Sequence, residues 1–271
     1  MRPDEREFLA RFIREHSGIV IGADKDYLLE SRLLPVARKA GLAGLSVLIQ
    51  RLRHQPTATF IQEVIEAMTT NETLFFRDGH PFAALGEELL PKLAAIRPGG
   101  TPLQIWCAAS STGQEPYSIA LAARDQVPRI VQSHGLRIVA TDIDRTVLAK
   151  AKAALYSDLE VNRGLPPALL TRWFRREGSE WRLHEEIRGM VEFRHLNLLG
   201  PWGMAGGIDV VFIRNVLIYF DNPTKQAIIA KIAGLVAADG YLVLGGSESP
   251  PGLGDRFERV GTRPGVYRKK A

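Results

Sequence analysis

A single cysteine, Cys107, occurs in 271 residues, so no intrachain disulfide can form and a reducing compartment is expected. No apolar run approaches the roughly 18 residues that a membrane span needs. The N-terminus, Met1-Arg-Pro-Asp-Glu-Arg-Glu7, is charged and lacks the apolar core of a signal peptide. The cytoplasm is therefore the expected location, with no direct membrane insertion. Six histidines (His16, His54, His80, His134, His184 and His195) show no ligand spacing, and no metal is expected. A G-x-G-x-x-G run is also missing, which argues against a nicotinamide or flavin oxidoreductase, whose pyrophosphate needs those glycines. Acidic residues are absent between Glu30 and Glu63, where Arg32, Arg38, Lys39, Arg51 and Arg53 lie. With a net charge of +5, that stretch reads either as a solvated helix face or as a docking surface for an acidic helix or nucleic acid.

Two textures share the chain. Residues 1–70 show helical spacing of apolar side chains: Phe8, Phe12, Ile13, then Leu28, Leu29, Leu33, Leu34, then Leu45, Leu48, Leu52, then Phe60, Val64, Ile65, Met68. Glycines and Pro56 punctuate these runs, which predicts a small domain of about four short helices. Residues 71–95 read as a linker and a connecting helix opened by Pro81. From residue 96 to 271 short apolar strands alternate with helices: Leu103–Cys107, Leu136–Ala140, Ile208–Ile213 and Tyr241–Leu244, with a closing hairpin at Phe257–Val260 and Gly265–Arg268. That rhythm predicts an α/β domain with a doubly wound, Rossmann-like, mostly parallel sheet. About residues 156–192 it is interrupted by an inserted antiparallel β-subdomain, with Glu180–Leu183 and Met190–Phe193 as its expected hairpin.

Polar residues collect at the predicted strand ends, where doubly wound sheets bind ligands. After the first strand comes Ala109-Ser-Ser-Thr-Gly113, small enough for backbone to approach a ligand, then Glu115. Asp142 ends the second strand, where an acid commonly accepts from ribose hydroxyls. Two acids bracket Ile143, and only one is needed to cap the next helix. Asn197 offers an amide suited to an adenine edge, or is a turn residue. Arg214 and Asn215 interrupt an otherwise apolar run after the Ile208–Ile213 strand. Upstream, Asn71, Thr73 and Arg77 bring an amide, a hydroxyl and a guanidinium into one short stretch. Together these read as a pocket for a polar, nucleoside-like cofactor. Cys107, Trp106 and Trp202 read as packing residues.

Thr70-Asn-Glu-Thr-Leu-Phe-Phe-Arg77, Ala108-Ala-Ser-Ser-Thr-Gly-Gln-Glu-Pro-Tyr-Ser118, Ala140-Thr-Asp-Ile-Asp144, Leu196-Asn-Leu198, Arg214-Asn-Val-Leu-Ile-Tyr-Phe220 and Gly245-Gly-Ser-Glu248 resemble the chemotaxis receptor methyltransferases, the CheR family. The motifs stand in matching order over nearly the whole chain. The resemblance implies an S-adenosylmethionine-dependent protein-glutamate O-methyltransferase, releasing S-adenosylhomocysteine and acting on the cytoplasmic signalling domain of chemoreceptors. By position it implies cofactor contacts from Asn71, Thr73, Arg77, Glu115, Asp142, Asn197, Leu198, Arg214 and Asn215, and catalytic roles for Arg77 and Tyr219. It also implies the helical N-terminal domain and the inserted β-subdomain. Family members that bind a C-terminal receptor pentapeptide do so through a glycine-containing loop of that subdomain. Here the matching stretch, Arg176-Glu-Gly-Ser-Glu-Trp-Arg-Leu183, is short with one glycine, Gly178. The tether is therefore in doubt, and docking is expected to rest on Arg32, Arg38 and Lys39 meeting an acidic receptor bundle.

Methyl transfer to glutamate needs no general base, because a carboxylate that titrates near pH ~4.3 is already ionised at neutral pH. A nucleic-acid methyltransferase is a rival reading of the basic charge, but the usual prolyl-aromatic motif is absent from Asn215-Val-Leu-Ile-Tyr219. A non-catalytic S-adenosylmethionine-binding signalling module is the rival from another class. Retention of both Arg77 and Tyr219 weighs against it. A monomer is the default oligomeric state.

Overall fold

The computed structural model describes residues 1–22 and 24–270. Four helices build the N-terminal unit: α1 (Pro3–Ser17), α2 (Asp26–Lys39), α3 (Leu45–His54) and α4 (Ala58–Met68). Pro3 stands in the first turn of α1, where its missing N–H leaves no bond unmade. Thr57 caps α4 by accepting from the Phe60 amide at 3.3 Å. The apolar positions that repeat at helical spacing close on one another, with Leu9, Ile13, Leu29, Leu33, Leu48 and Val64 fully buried. A linker then runs to α5 (His80–Ala84), a π-helical turn (Leu85–Leu89) and α6 (Leu90–Ile96). Phe75 anchors this linker in the main core, edge-on to Tyr156 at 5.0 Å and to Phe174 at 5.8 Å.

Strand and helix alternate from β1 (Leu103–Ala108) onward. Helices α7 (Gln114–Gln126) and α8 (Pro128–His134) lead to β2 (Leu136–Asp142), and α9 (Arg145–Ala153) leaves it. The inserted unit comprises β3 (Leu155–Ser157), α10 (Asp158–Asn162), α11 (Pro167–Trp173), β4 (Phe174–Glu177) and β5 (Glu180–Leu183). Then come α12 (Glu185–Arg188), β6 (Val191–His195), β7 (Ile208–Ile213), a 3-10 turn (Leu217–Tyr219), α13 (Asn222–Leu235) and β8 (Val236–Leu244). Short α14 (Leu253–Arg256), β9 (Phe257–Arg259) and β10 (Val266–Lys269) finish the chain. The large sheet has seven strands in the order β6-β2-β1-β7-β8-β10-β9. The first five of that order run parallel, and β10 and β9 are the antiparallel closing hairpin. The expected doubly wound sheet is present, with its switch point between β1 and β7. One face packs on α5, α6 and α7, the other on α13 and the loop carrying Trp202.

The insertion differs from expectation in its pairing. The small sheet has the order β3-β5-β4, so Glu180–Leu183 pairs with Phe174–Glu177 across the tight Gly178-Ser179 turn. Met190–Phe193 is not its partner. Val191–His195 forms an edge of the large sheet, with Val191 opposite Ile138 and Phe193 opposite Ala140. Alternation marks a half-buried strand without saying which sheet takes it. A neighbouring run separated by two turn residues closes a hairpin at less entropic cost.

At the amino ends of the strands, away from the switch point, Arg97 bridges two acids. Its Nε donates to Asp209 Oδ1 at 2.9 Å, and its Nη1 donates to Asp239 Oδ2 at 2.7 Å. Buried Asp209 also accepts from the Gln104 amide at 2.7 Å, which ties β1 to β7. The hydrogen bonds it donates to Asp239 and Asp209 hold the Arg97 guanidinium well above its ordinary range. Removing the cation leaves a buried carboxylate uncompensated. Arg97→Ala is expected to lose about 3 kcal/mol in a urea titration, with ligand binding at the opposite sheet edge unchanged.

Candidate active site at the carboxyl ends of the strands

The carboxyl ends of β2, β1 and β7, the linker before α5 and the end of α1 surround one cavity enclosing about 900 Å³ with its open mouth. Asn71, Thr73, Arg77, Glu115, Asp142, Asn197, Leu198, Arg214, Asn215 and Tyr219 all line it. The structure therefore brings together every cavity residue anticipated above, from five separate segments. Their individual geometries divide them into groups that face the cavity and groups that hold its walls.

The β1 end is a tight turn in which Ala109 (φ 56) and Ser111 (φ 50) are left-handed. Gly113, with φ 93, must be glycine, since an added Cβ would lie 2.9 Å from Ala151 Cβ. The Ser111 amide donates to Asp142 Oδ2 at 2.8 Å, and the Ser111 hydroxyl donates to the Asn71 carbonyl at 2.7 Å. The loop, the end of β2 and the linker are thereby locked together.

The two acids around Ile143 do different work. Asp144 caps α9, accepting from the Thr146 and Val147 amides at 2.8 and 3.2 Å. Asp142 lines the cavity, and its Oδ1 accepts from the Asp144 amide at 2.9 Å. Burial raises the Asp142 carboxyl from its ordinary 3.8 to about 6, against the opposing effect of its backbone hydrogen bonds. Beside it, Ile143, Leu196, Leu198, Ile19 and Phe220 make an apolar slot.

Three of the anticipated side chains are engaged within the chain itself. Asn197 donates its Nδ2 to the His16 carbonyl at 2.6 Å, and its Oδ1 accepts from the Leu199 amide at 2.9 Å. It is a turn residue that also satisfies a carbonyl at the end of α1. Asn71 likewise donates its Nδ2 to Asp144 Oδ2 at 2.8 Å and to Thr69 Oγ1 at 2.9 Å, clasping the linker to α9. Arg32, expected as a docking cation, is also tied into the fold. Its Nη1 donates to the Met68 and Thr69 carbonyls at 2.8 and 2.7 Å, and its Nη2 to Thr70 Oγ1 at 3.1 Å, bracing the end of α4. Of its expected companions, Arg38 is exposed, and Lys39 is exposed with an ion pair to Glu63 at 2.9 Å.

At the β7 end, the Arg214 side chain is 1% exposed and sits between two carboxylates. Its Nη1 bonds Glu115, and its Nη2 donates to Asp78 Oδ2 at 2.7 Å and to the Arg77 carbonyl at 3.0 Å. The guanidinium thus fixes the backbone of a turn in which Phe76 (φ 49) and Asp78 (φ 68) are left-handed. Arg77, presented by that turn, reaches the cavity with one long bond, Nη1 donating to the Glu72 carbonyl at 3.3 Å. Tyr219, on the 3-10 turn, lines the same cavity, and its carbonyl accepts from the Val20 amide at 2.9 Å. Asp78 and Glu248 are wall residues that the sequence did not single out as site residues. Glu248 alone carried a signal, as the end of the Gly245-Gly-Ser-Glu248 run. Cys107 is buried in the core, and burial pushes its thiol well up. Trp106 is buried with its Nε1 donating to Thr141 Oγ1 at 2.9 Å, and packs on Trp202 at 4.9 Å. Among the described residues there is no cluster of three or more acidic, histidine or cysteine side chains that could hold a metal.

An apolar slot beside a carboxylate at β2, a small-residue loop at β1, and paired carboxylates with a guanidinium at β7 fit a nucleoside joined to an amino acid. The family described as "CheR methyltransferase, SAM binding domain" matches residues 71–266, and "CheR methyltransferase, all-alpha domain" matches residues 4–69. The chain is similar to chemotaxis protein methyltransferase 1 of Pseudomonas aeruginosa, 42% identical over 268 residues covering 97% of each chain. It is 40% identical to chemotaxis protein methyltransferase Cher2 of Pseudomonas putida over 259 residues, 94% of each. A chemotaxis protein methyltransferase of Vibrio parahaemolyticus is 40% identical over 268 residues, covering 97% of this chain and 95% of that relative.

Proposed function

This chain belongs to the CheR methyltransferase family, and we propose that the cavity at its β2, β1 and β7 ends is where it methylates glutamate carboxylates of chemoreceptors. The chain is an S-adenosylmethionine-dependent methyltransferase acting on chemoreceptors. The observation that carries the placement is the order of chemistry along the cavity, from the slot and Asp142 at β2 to Glu115, Arg214 and Arg77 at β7. In this reading Leu198 and Ile143 sandwich the base, Asp142 accepts from the ribose hydroxyls, and Glu115 and Thr73 serve the amino-acid end. Asn71, Asn197 and Arg214 act chiefly by holding walls, and Asn215 completes the β7 side.

When bound, S-adenosylmethionine supplies an electrophilic methyl on a cationic sulfur. The chain's own residues orient the acceptor and keep it dry. An acceptor glutamate is ionised at neutral pH, so no side chain has to take its proton. Arg77 can hold a carboxylate with its fork, and Tyr219, which lines the same cavity after β7, orients the acceptor oxygen. Ser17 and Ile19 at the end of α1, with Thr69 to Glu72 of the linker, wall the cavity against bulk water. Exclusion of water favours a reaction in which the acceptor's charge disappears.

Asp142 makes the reading pH-sensitive. Its folded carboxyl titrates at about 6 and its ordinary value is 3.8, so between those values the folded chain holds a proton the unfolded chain has released. Its contribution to stability is therefore present at low pH and lost as pH rises through that window, by about 3 kcal/mol. Cofactor binding has the opposite sign, because only the ionised carboxylate accepts from both ribose hydroxyls. Calorimetry with S-adenosylhomocysteine is expected to show affinity falling about tenfold per pH unit below 6, and Asp142→Asn is expected to flatten that slope.

Receptor docking in this reading needs no C-terminal tail. Strand β4 is an edge of the small sheet and exposes Arg175, Arg176 and Glu177, charges that discourage strand addition. Its turn to β5 is only Gly178-Ser179. Exposed Arg38 and Lys39 are left to guide an acidic receptor bundle. The protein works as a monomer in the cytoplasm and binds no nucleic acid; no described helix is long and apolar enough to cross a membrane. Labelled methyl transfer to receptor cytoplasmic fragments with and without their tails tests this. Equal labelling of both is the expected result, and labelling of tailed receptor alone overturns the tether-free mode.

A further inference from the structure

The run Gly245-Gly-Ser-Glu248 follows β8, a strand away from the cavity's β7 wall. Its acid is buried, with Glu248 only 6% exposed. The Glu248 Oε2 accepts from the backbone amides of Asn215 at 2.8 Å and Gly245 at 2.9 Å, and its Oε1 accepts from the Leu217 amide at 3.0 Å. Three amides cradle one buried carboxylate, which satisfies it without a cation. Two of those amides belong to the turn after β7.

That turn needs holding. Asn215 is left-handed at φ 57, a conformation that costs about 1 kcal/mol for a residue with a Cβ and persists only where its surroundings impose it. Arg214, Asn215, Val216 and Tyr219, all on this stretch, line the cavity. The side chains that face the reaction are thus suspended from a carboxylate on another strand. Gly245 marks how closely the cradle fits: an added Cβ would lie 2.8 Å from Glu248 Oε2 and 3.0 Å from Asn215 Nδ2.

We propose that Glu248 is a positioning residue for methyl transfer: its carboxylate sets the Arg214–Tyr219 turn, and through it the placement of Asn215 and Tyr219. The proposal rests on the function assigned above. Misplacement of about 1 Å around a reacting centre can lower a rate by about 100-fold, so a small slackening of the turn acts on turnover. Glu248→Gln keeps the shape and replaces one accepting oxygen by an amino group that cannot accept from an amide. Gly245→Ala keeps the carboxylate and crowds it out of the cradle.

The experiment measures kcat and both KM values for receptor fragments, with the folded fraction taken from circular dichroism at the assay temperature. Glu248→Gln is expected to lose roughly 30-fold in kcat per folded molecule and Gly245→Ala roughly fivefold, with receptor KM nearly unchanged because docking lies elsewhere. A kcat that falls only with the folded fraction makes Glu248 a mere strut and overturns the proposal. Should Glu248→Gln fail to fold, Gly245→Ala decides alone: normal kcat in it is the overturning result. A wild type that methylates no receptor fragment, while S-adenosylhomocysteine binds, removes the functional reading and this proposal with it.

Discussion

Arg77→Ala is expected to lower kcat for receptor methylation by at least about 100-fold at saturating cofactor and receptor. The guanidinium reaches the cavity from a turn fixed by Arg214, and its one bond, to the Glu72 carbonyl, is long at 3.3 Å. A side chain so lightly tied contributes little to the fold, so the unfolding midpoint should stay where it is. What disappears is a fork able to hold a carboxylate by two parallel bonds. Arg77→Lys keeps the charge and loses the fork, so it should recover only a small part of the rate. Steady-state kinetics on the three proteins checks this. A folded Arg77→Ala enzyme with normal turnover would remove Arg77 from the reaction.

Arg214→Ala is expected to act on everything at once. Its buried guanidinium lies between Glu115 and Asp78 and also bonds the Arg77 carbonyl. A buried ion pair need not stabilise a fold relative to an apolar pair, but deleting one partner strands the other charges. Here two carboxylates would face each other across a void, and the left-handed Phe76 and Asp78 turn would lose its support. We expect a loss of about 3 to 5 kcal/mol in urea unfolding. Affinity for S-adenosylhomocysteine should fall by roughly 100-fold, since one lost charge-assisted contact and a displaced wall together exceed about 2.7 kcal/mol. Arg214→Lys is not expected to rescue either quantity, because a point charge cannot span both acids and a carbonyl. Unchanged affinity in a folded Arg214→Ala protein would show that this network is not part of the cofactor wall.

The contrast between these arginines shows what sequence carries and what it does not. Apolar spacing located the four N-terminal helices and the strands at Leu103, Leu136 and Ile208, because burial dictates which residues must be apolar. Strand ends located the cavity, because doubly wound sheets bind ligands beyond the carboxyl ends of their strands. The division of labour between Asp142 and Asp144 was legible too, since a helix start needs one cap. Hydrogen-bond partners were not. Asn197 and Asn71 reach the cavity with their Nδ2 groups already engaged, and nothing local distinguishes a donor facing a ligand from one facing a distant carbonyl. Arg32 was read as a surface charge from a basic stretch, yet it braces carbonyls 36 and 37 residues away in the chain. The partner of β6 was likewise set by a sheet assembled from residues far apart.

Receptor cytoplasmic fragment is incubated with enzyme and methyl-labelled S-adenosylmethionine, digested, and each labelled peptide is treated with mild base. Label is expected on glutamate side chains, released by base as methanol, with none from Arg77→Ala enzyme. Label that survives base, or unlabelled receptor despite bound cofactor, would contradict a carboxylate-methylating site.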